Sequence, residues 1–383
     1  MNSSTLKSRL DLVVEQATTS KRLVGAVVLV AQHGELIYHR ATGLADRETG
    51  QVMTETSLFR LASVSKPIVS TVAMILISQG KLALDDDILA WLPDFHPTLP
   101  DGKPARITVR NLLSHTAGLS YRFFEPDEQG PYALAGVSDG MDNSGISLAE
   151  NLRRLAGVPL LYAPGSSWGY SLAVDVLGAV LEQVCRQPLG DVVKNLLTGP
   201  LDMNDTAFYV HNPARLATPY VSDSPEPHRL QEGEKAAAFE NTVGITYSPL
   251  RALDTQAYPS AGAGMVSSAH DVLKMLEMLR QGGEPLLTPT LTNEMGRDQT
   301  GGLELPDMPG TGFGLGFSVL RDPQAAASPE SAGTWRWGGA YGHSWFVDRT
   351  AGLSVVAFTN TLYEGMSGAF VNELRDAVYG AKS

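Results

Sequence analysis

The chain has 383 residues, 43% of them hydrophobic and 18% charged, with a formal net charge of −12. That length favours two closely packed domains over one core, and an acidic balance without a basic run argues against nucleic acid or an anionic membrane surface as partner. No apolar run is long enough to span a bilayer, and the first ten residues lack the apolar core of a secretory signal.

Leu6, Leu10, Val13, Val14 and Ala17 share one helical face, so the chain opens on an amphipathic helix. Residues 25–32 form an apolar strand, His33 and Gly34 turn it, and residues 36–43 return as the second arm of a hairpin. An apolar lead-in from Phe59 then stops at Ser63. Ile68, Val69, Val72, Ala73, Ile75, Leu76 and Ile77 follow at the spacing of a buried helix. Ser63 therefore falls at a helix start, where free N–H groups and the positive dipole end favour negative charge. Pro67 fits such a helix only in its first turn. Lys66, three residues on, shares a face with Ser63. Burial disfavours the charged form of a lysine, so the pair makes a nucleophile with a base attached. The spacing Ser-x-x-Lys also occurs at Ser4–Lys7 and Ser78–Lys81, and the competing reading of Ser63 is a helix N-cap. Only Ser63 has a strand before it and a buried helix after it.

Residues 121–147 and 211–260 are irregular, rich in Gly, Asp and Pro, and are expected to form lids or binding walls. Between them, a turn at Pro164-Gly-Ser-Ser-Trp-Gly-Tyr170 feeds an apolar helix over 174–184. Cys185, the one cysteine, ends that helix and is expected to be a small core hydrophobe. It excludes an internal disulfide, and with the missing signal it points to the cytoplasm. Strands are expected over 312–320, 335–337, 344–348 and 353–360. A helix with Met366, Phe370, Val371, Leu374 and Val378 on one face closes the chain. The two ends then make one α/β domain (1–63 with 300–383), and 64–299 form an inserted, mostly helical domain. Three distant segments meet at the Ser63 helix in such a fold: Ser63–Lys66, the Tyr170 turn, and Trp335-Arg-Trp-Gly-Gly-Ala-Tyr-Gly-His343, where glycines leave an edge strand open to a substrate.

Four motifs in this order, Ser63-Val-Ser-Lys66, Leu112-Leu-Ser-His-Thr-Ala-Gly-Leu119, Tyr170-Ser-Leu and Trp337-Gly-Gly339, make the chain resemble the serine β-lactamase and penicillin-binding-protein superfamily. The likeness is to its class C-like branch, and within that to the family VIII carboxylesterases, over nearly the whole length. It implies an α+β, β-lactamase-like fold, with an antiparallel sheet flanked by terminal helices and an inserted helical domain. It also implies Ser63 as nucleophile, Lys66 and Tyr170 sharing the base role, and an oxyanion hole from the N–H groups of Ser63 and Ala340. Two departures carry information. Leu172 stands where β-lactamases of this branch have the amide of Tyr-x-Asn, and Trp337-Gly338-Gly339 where they have Lys-Thr-Gly. An indole cannot supply the charge-assisted bond that a lactam carboxylate needs, which favours neutral esters of short or medium acyl chain. The competing readings are an acyltransferase, a promiscuous β-lactamase, a D-amino-acid peptidase, or a non-enzymatic sensor of β-lactams or muropeptides that stays acylated.

Trp337, Gly338, Gly339, His343, Tyr121, Phe123 and Trp345 are the expected substrate contacts, although His343 fits a structural hydrogen-bonding role better than a catalytic one. Gly-x-Ser-x-Gly matches around Ser138 and Ser167 lack the strand-to-helix elbow that motif requires. The eight histidines are scattered without ligand spacing, and no phosphate loop is present, so neither metal nor cofactor is expected.

Overall fold

The computed structural model describes residues 3–381 except Ala238. Its centre is an eight-stranded antiparallel sheet. The strands are β1 (Gly25–Gln32), β2 (Glu35–Asp46), β3 (Gln51–Val52), β4 (Thr311–Phe313), β5 (Ser318–Leu320), β6 (Trp335–Gly339), β7 (His343–Asp348) and β8 (Leu353–Thr359), in the order β4-β5-β6-β7-β8-β1-β2-β3. The two chain ends join where β1 pairs with β8, from Ala26 opposite Thr359 to Gln32 opposite Leu353. Both strands are covered on both faces, which is why each is a nearly unbroken apolar run.

Alternation along β1 divides the core in two. Ala26, Val28 and Val30 face Leu6, Leu10, Val14 and Ala17 of α1 (Ser3–Thr19), together with residues of the closing helix, Phe370, Leu374 and Val378. Val27, Leu29 and Ala31 face the larger core on the other side. There lies α2 (Ser65–Ser78), buried over its whole length from Ser65 to Leu76. There too lie α3 (Ala173–Cys185), packed on α2, and α4 (Ala269–Arg280), packed directly on the sheet. The closing helix, α5 (Ala369–Tyr379), is tied to α1 by Arg9, which donates to the Ala377 carbonyl at 2.7 Å.

The structure departs from expectation at four places. The 312–320 segment is a hairpin of two short strands rather than one, because Gly316 turns the chain at φ +105°. Residues 211–260 hold short ladders: Tyr220–Val221 pairs with His228–Arg229 and Thr361–Leu362, and Lys235–Ala236 pairs with Ile245–Thr246. The sheet layer draws on chain well before residue 300: Val266–Ser267 pairs with Phe59–Arg60, and α4 packs on β8 and β1. Cys185 is half-buried at the end of α3 rather than in the core.

Leu10 has no exposure in the core between α1 and the sheet. Leu10→Ala should lower stability by about 2–5 kcal/mol, read as the urea midpoint. The reactivity of Ser63 in the folded protein should be unchanged, since it lies across the sheet.

Candidate active site

Ser63 sits in a single 3₁₀ turn, Ala62–Val64, that runs into α2; the expected helix start is displaced to Ser65. Ala62 takes a φ of +45°, which costs a residue with a Cβ on the order of 1 kcal/mol. Neighbouring chain holds it there. Leu61 N–H donates to the Met265 carbonyl at 2.8 Å, and Met265 N–H donates to Ser65 Oγ at 3.2 Å. From the other side β6 presses in: a Cβ on Gly339 would lie 2.2 Å from the Leu61 carbonyl oxygen. Only glycine lets strand and turn approach this closely, so this glycine makes room for protein. Gly338 does the same, against the His343 carbonyl and Met366.

Two side chains converge on the Ser63 hydroxyl. The Lys66 ammonium donates to Oγ at 3.2 Å and to the Gly262 carbonyl at 2.9 Å, and the side chain has no solvent exposure. The Tyr170 hydroxyl donates to the same oxygen at 2.6 Å. Lys66 Nζ also lies 4.6 Å from the centre of the Tyr170 ring and 5.4 Å from that of Tyr121, so aromatic faces replace water around the cation. The three residues come from α2 and from a turn more than a hundred positions away, and tertiary packing alone brings them together.

What holds Tyr170 is the run 112–119. The His115 carbonyl accepts from Gly169 N–H at 2.9 Å, and His115 Nδ1 accepts from Ser171 N–H at 3.2 Å, so the histidine clamps the chain on both sides of the tyrosine. Its ring also lies 4.8 Å from that of Tyr170. His115 and Gly262 were both missed as site residues. The signal available for His115 was its place in a run with the order and spacing of the family motifs. For Gly262 the sequence offered none.

The expected substrate contacts divide. Trp337 is half-buried with its ring 5.2 Å from that of Tyr170, and Tyr121 packs on Tyr170 from another side at 5.3 Å. Strand β5 pairs with β6 only at Trp335 and Arg336, so the segment from Trp337 to Gly339 is a strand edge, as expected. Ala340 follows at its end, 7% exposed. Phe123 stacks behind Tyr121 at 4.4 Å, on a ring that itself packs against Tyr170. His343 and Trp345 correct the expectation. His343 is buried behind the nucleophile turn, where Nε2 donates to the Arg60 carbonyl at 2.8 Å and the ring packs on Phe59 and Phe358. Trp345 is buried edge-on against Phe317 in the core. His343 was expected in the site for its place after the glycines and Trp345 as an aromatic that could line an acyl pocket, and β7 carries both into the sheet layer instead.

The competing serines have other positions. Ser138 is buried, donates to Asp142, and accepts from Gly140 N–H and the Tyr258 hydroxyl, both at 3.1 Å. Ser167 is in the turn that presents Tyr170, Ser78 is exposed at the far end of α2, and the side chain of Ser4 lies outside the described residues.

This fold and site are those of a β-lactamase-type protein, and the chain belongs to the Beta-lactamase family, whose model matches residues 10–379. Among individual proteins it is 50% identical to Esterase EstB of Burkholderia gladioli, over 99% of this chain and 96% of that one. The solved structure of EstCE1, described as a hydrolase with promiscuous acyltransferase activity, superimposes with a TM-score of 0.97 at 48% identity, covering 99% of both chains. Unliganded simvastatin synthase from Aspergillus terreus shares the fold at 22% identity, with a TM-score of 0.76 over 98% of each chain.

Burial holds two histidines neutral. His343 is pushed down to about 4, and His115 well below its ordinary value, by burial first and then by the Lys66 charge. The unfolded chain takes up these protons below pH 6.5 and the folded chain resists. Their contribution to stability is therefore complete above pH 6.5 and lost as pH falls towards 4, on the order of 3 kcal/mol for His343. In denaturation midpoints taken across that range, His343→Asn should show a shallower acid decline than wild type.

Proposed function

We propose that the protein is a carboxylesterase that works through an acyl-enzyme on Ser63. The observation that carries this reading is the convergence of Tyr170 at 2.6 Å and Lys66 at 3.2 Å on one serine oxygen. Ser63 Oγ attacks the ester carbonyl while its proton passes along the short contact to the Tyr170 oxygen, whose phenolate form the adjacent ammonium stabilises. The oxyanion forms against the N–H groups of Ser63 and Ala340, each typically contributing about 3–4 kcal/mol to lowering the barrier. In support, the packing of Gly339 on Leu61 draws the end of β6 up to the Ser63 turn. The tetrahedral intermediate collapses and Tyr170 returns the proton to the departing alcohol; it then takes one from the attacking water and hands it to Ser63 Oγ as the acid is released.

The 50% identity to an esterase supports the substrate class, and Trp337 supports neutral esters of short or medium acyl chain. Arg336, the cation next to it, points to the opposite face, where it pairs with Glu330 and lies over the Phe346 ring. Arg60 is engaged with the carbonyls of Pro249 and Ala217. Neither is placed to meet a lactam carboxylate at Trp337. A second reading, transfer of the acyl group to an alcohol in place of water, is favoured by the likeness to EstCE1 and uses the same intermediate. The proposal includes a cytoplasmic location and no nucleic-acid or membrane partner. It rests on the net charge of −12 and the single cysteine, and no helix among the described residues is long and apolar enough to cross a membrane.

Ser63→Ala should abolish turnover of p-nitrophenyl butyrate and labelling by a fluorophosphonate, while Ser167→Ala keeps both. Lys66→Ala and Tyr170→Phe should each reduce kcat by several orders of magnitude and combine non-additively, as members of one unit do. A label found on Ser167, or near-normal turnover in Tyr170→Phe, would overturn the assignment.

Specificity gives a separate test. Wild type should favour p-nitrophenyl esters over penicillins in kcat/KM by roughly 10²-fold, the equivalent of one missing charge-assisted bond of about 3 kcal/mol. Trp337→Lys should narrow that ratio in paired steady-state kinetics. Equal rates on both classes in wild type would replace the esterase reading with a lactamase.

A further inference from the structure

Among the described residues no carboxylate touches the buried Lys66 ammonium, yet one stands close behind it. Asp175 lies in the first turn of α3, just after the Tyr170 loop, and is 1% exposed. Neither of its carboxylate oxygens has a hydrogen-bond partner. The Ser260 hydroxyl and the Gly262 N–H approach without hydrogen-bond geometry, and the Ser260 hydroxyl is itself unpartnered. Gly262 is the hub. A Cβ built there would lie 2.9 Å from Asp175 Oδ2, 3.4 Å from Lys66 Nζ and 3.5 Å from the Tyr121 hydroxyl. Carboxylate and ammonium are thus within roughly 6 Å of each other, across a glycine whose carbonyl also binds the ammonium. A buried carboxylate left unpartnered works against folding. The start of α3 offsets part of that through its dipole, and nothing in the packing requires a charge at this position.

We propose that Asp175 is a positioning residue for the reaction: its carboxylate is the counter-charge that keeps Lys66 an ammonium while Tyr170 moves the proton between Ser63, the leaving alcohol and water. This rests on the Ser63–Lys66–Tyr170 reading above and adds a division of labour to it. With Asp175 behind it the lysine stays charged, and Tyr170 alone alternates between phenol and phenolate. Burial pushes the Asp175 carboxyl up, while Ser260 and the Lys66 charge pull it back. The other titratable groups facing the pair are Tyr121, Tyr170, Tyr258, Arg251 and His115, with Asp139 beyond Tyr121. Burial pushes the Tyr121 and Tyr258 phenols up and holds His115 neutral. Arg251 is spent on the carbonyls of Asp142 and Tyr258. Lys66 remains as the cation that Asp175 can serve.

The test is Asp175→Asn, with Asp175→Ser, neutral and smaller, as a second variant, each read as pH–rate profiles for p-nitrophenyl butyrate. Removing a negative charge favours the deprotonated form of every neighbour. Both limbs should therefore move to lower pH by about one unit, with kcat at pH 7 down roughly tenfold or more and KM nearly unchanged. A residue that merely supports packing would lower activity at every pH without moving either limb, and that outcome, or an unchanged kcat, overturns the proposal. Fluorophosphonate labelling of wild type keeps the two readings apart. Label on Ser63 with unmoved limbs rejects the role of Asp175 alone, whereas label elsewhere rejects the site itself.

Discussion

The rest of the structure turns on a lysine side chain kept wholly out of water. Lys66 has no exposure, and its three donor positions must be met from within the protein. Ser63 Oγ and the Gly262 carbonyl meet two of them, and the faces of Tyr170 and Tyr121 take the place of solvent. A cation in such surroundings acts strongly on whatever it touches, because little water is left to screen it. The same desolvation makes the nucleophile useful and forces every nearby segment to be placed with care.

That placement is built from both sides of the sheet's inner face. The turn at Ala62 is held in an unfavourable backbone region by Met265 and by the close approach of Gly339, so the strand edge and the nucleophile are locked to each other. The Tyr170 turn is clamped separately, by both the carbonyl and the ring of His115. Three segments far apart in the chain are therefore fixed by backbone contacts before any side-chain chemistry is considered. This suits the proposed reaction, in which the proton passes over the 2.6 Å contact between Ser63 and Tyr170 while Lys66 holds its charge 3.2 Å away.

Specificity follows from which charges point where. Strand alternation turns Arg336 to the far face while Trp337 faces Tyr170. The ring wall of Trp337, Tyr170 and Tyr121 is apolar at its faces and itself carries no cation to meet a substrate carboxylate. The two buried histidines nearest the site are neutral and act on it through backbone contacts.

The outline of the fold was legible in the sequence. Period-3.6 apolar patterns marked α1, α2 and α5, which pack against the cores, and an unbroken apolar run marked β1, which is covered on both faces. The candidate trio was legible in part: spacing paired Ser63 with Lys66, while Tyr170 entered through the family resemblance, since nothing local ties it to Ser63. Chemistry carried by backbone left less trace. That 312–320 is a hairpin, that Ala62 is left-handed, and that β7 buries His343 and Trp345 depend on pairings with distant chain, which a local pattern does not encode. Gly262 and Asp175 are the extreme case. Nothing beside them in sequence marks either one, and they matter only because α2, α3 and the chain before α4 converge on a single Cα. Local spacing determined which residues could react, and long-range packing decided which groups surround them and which charges they feel.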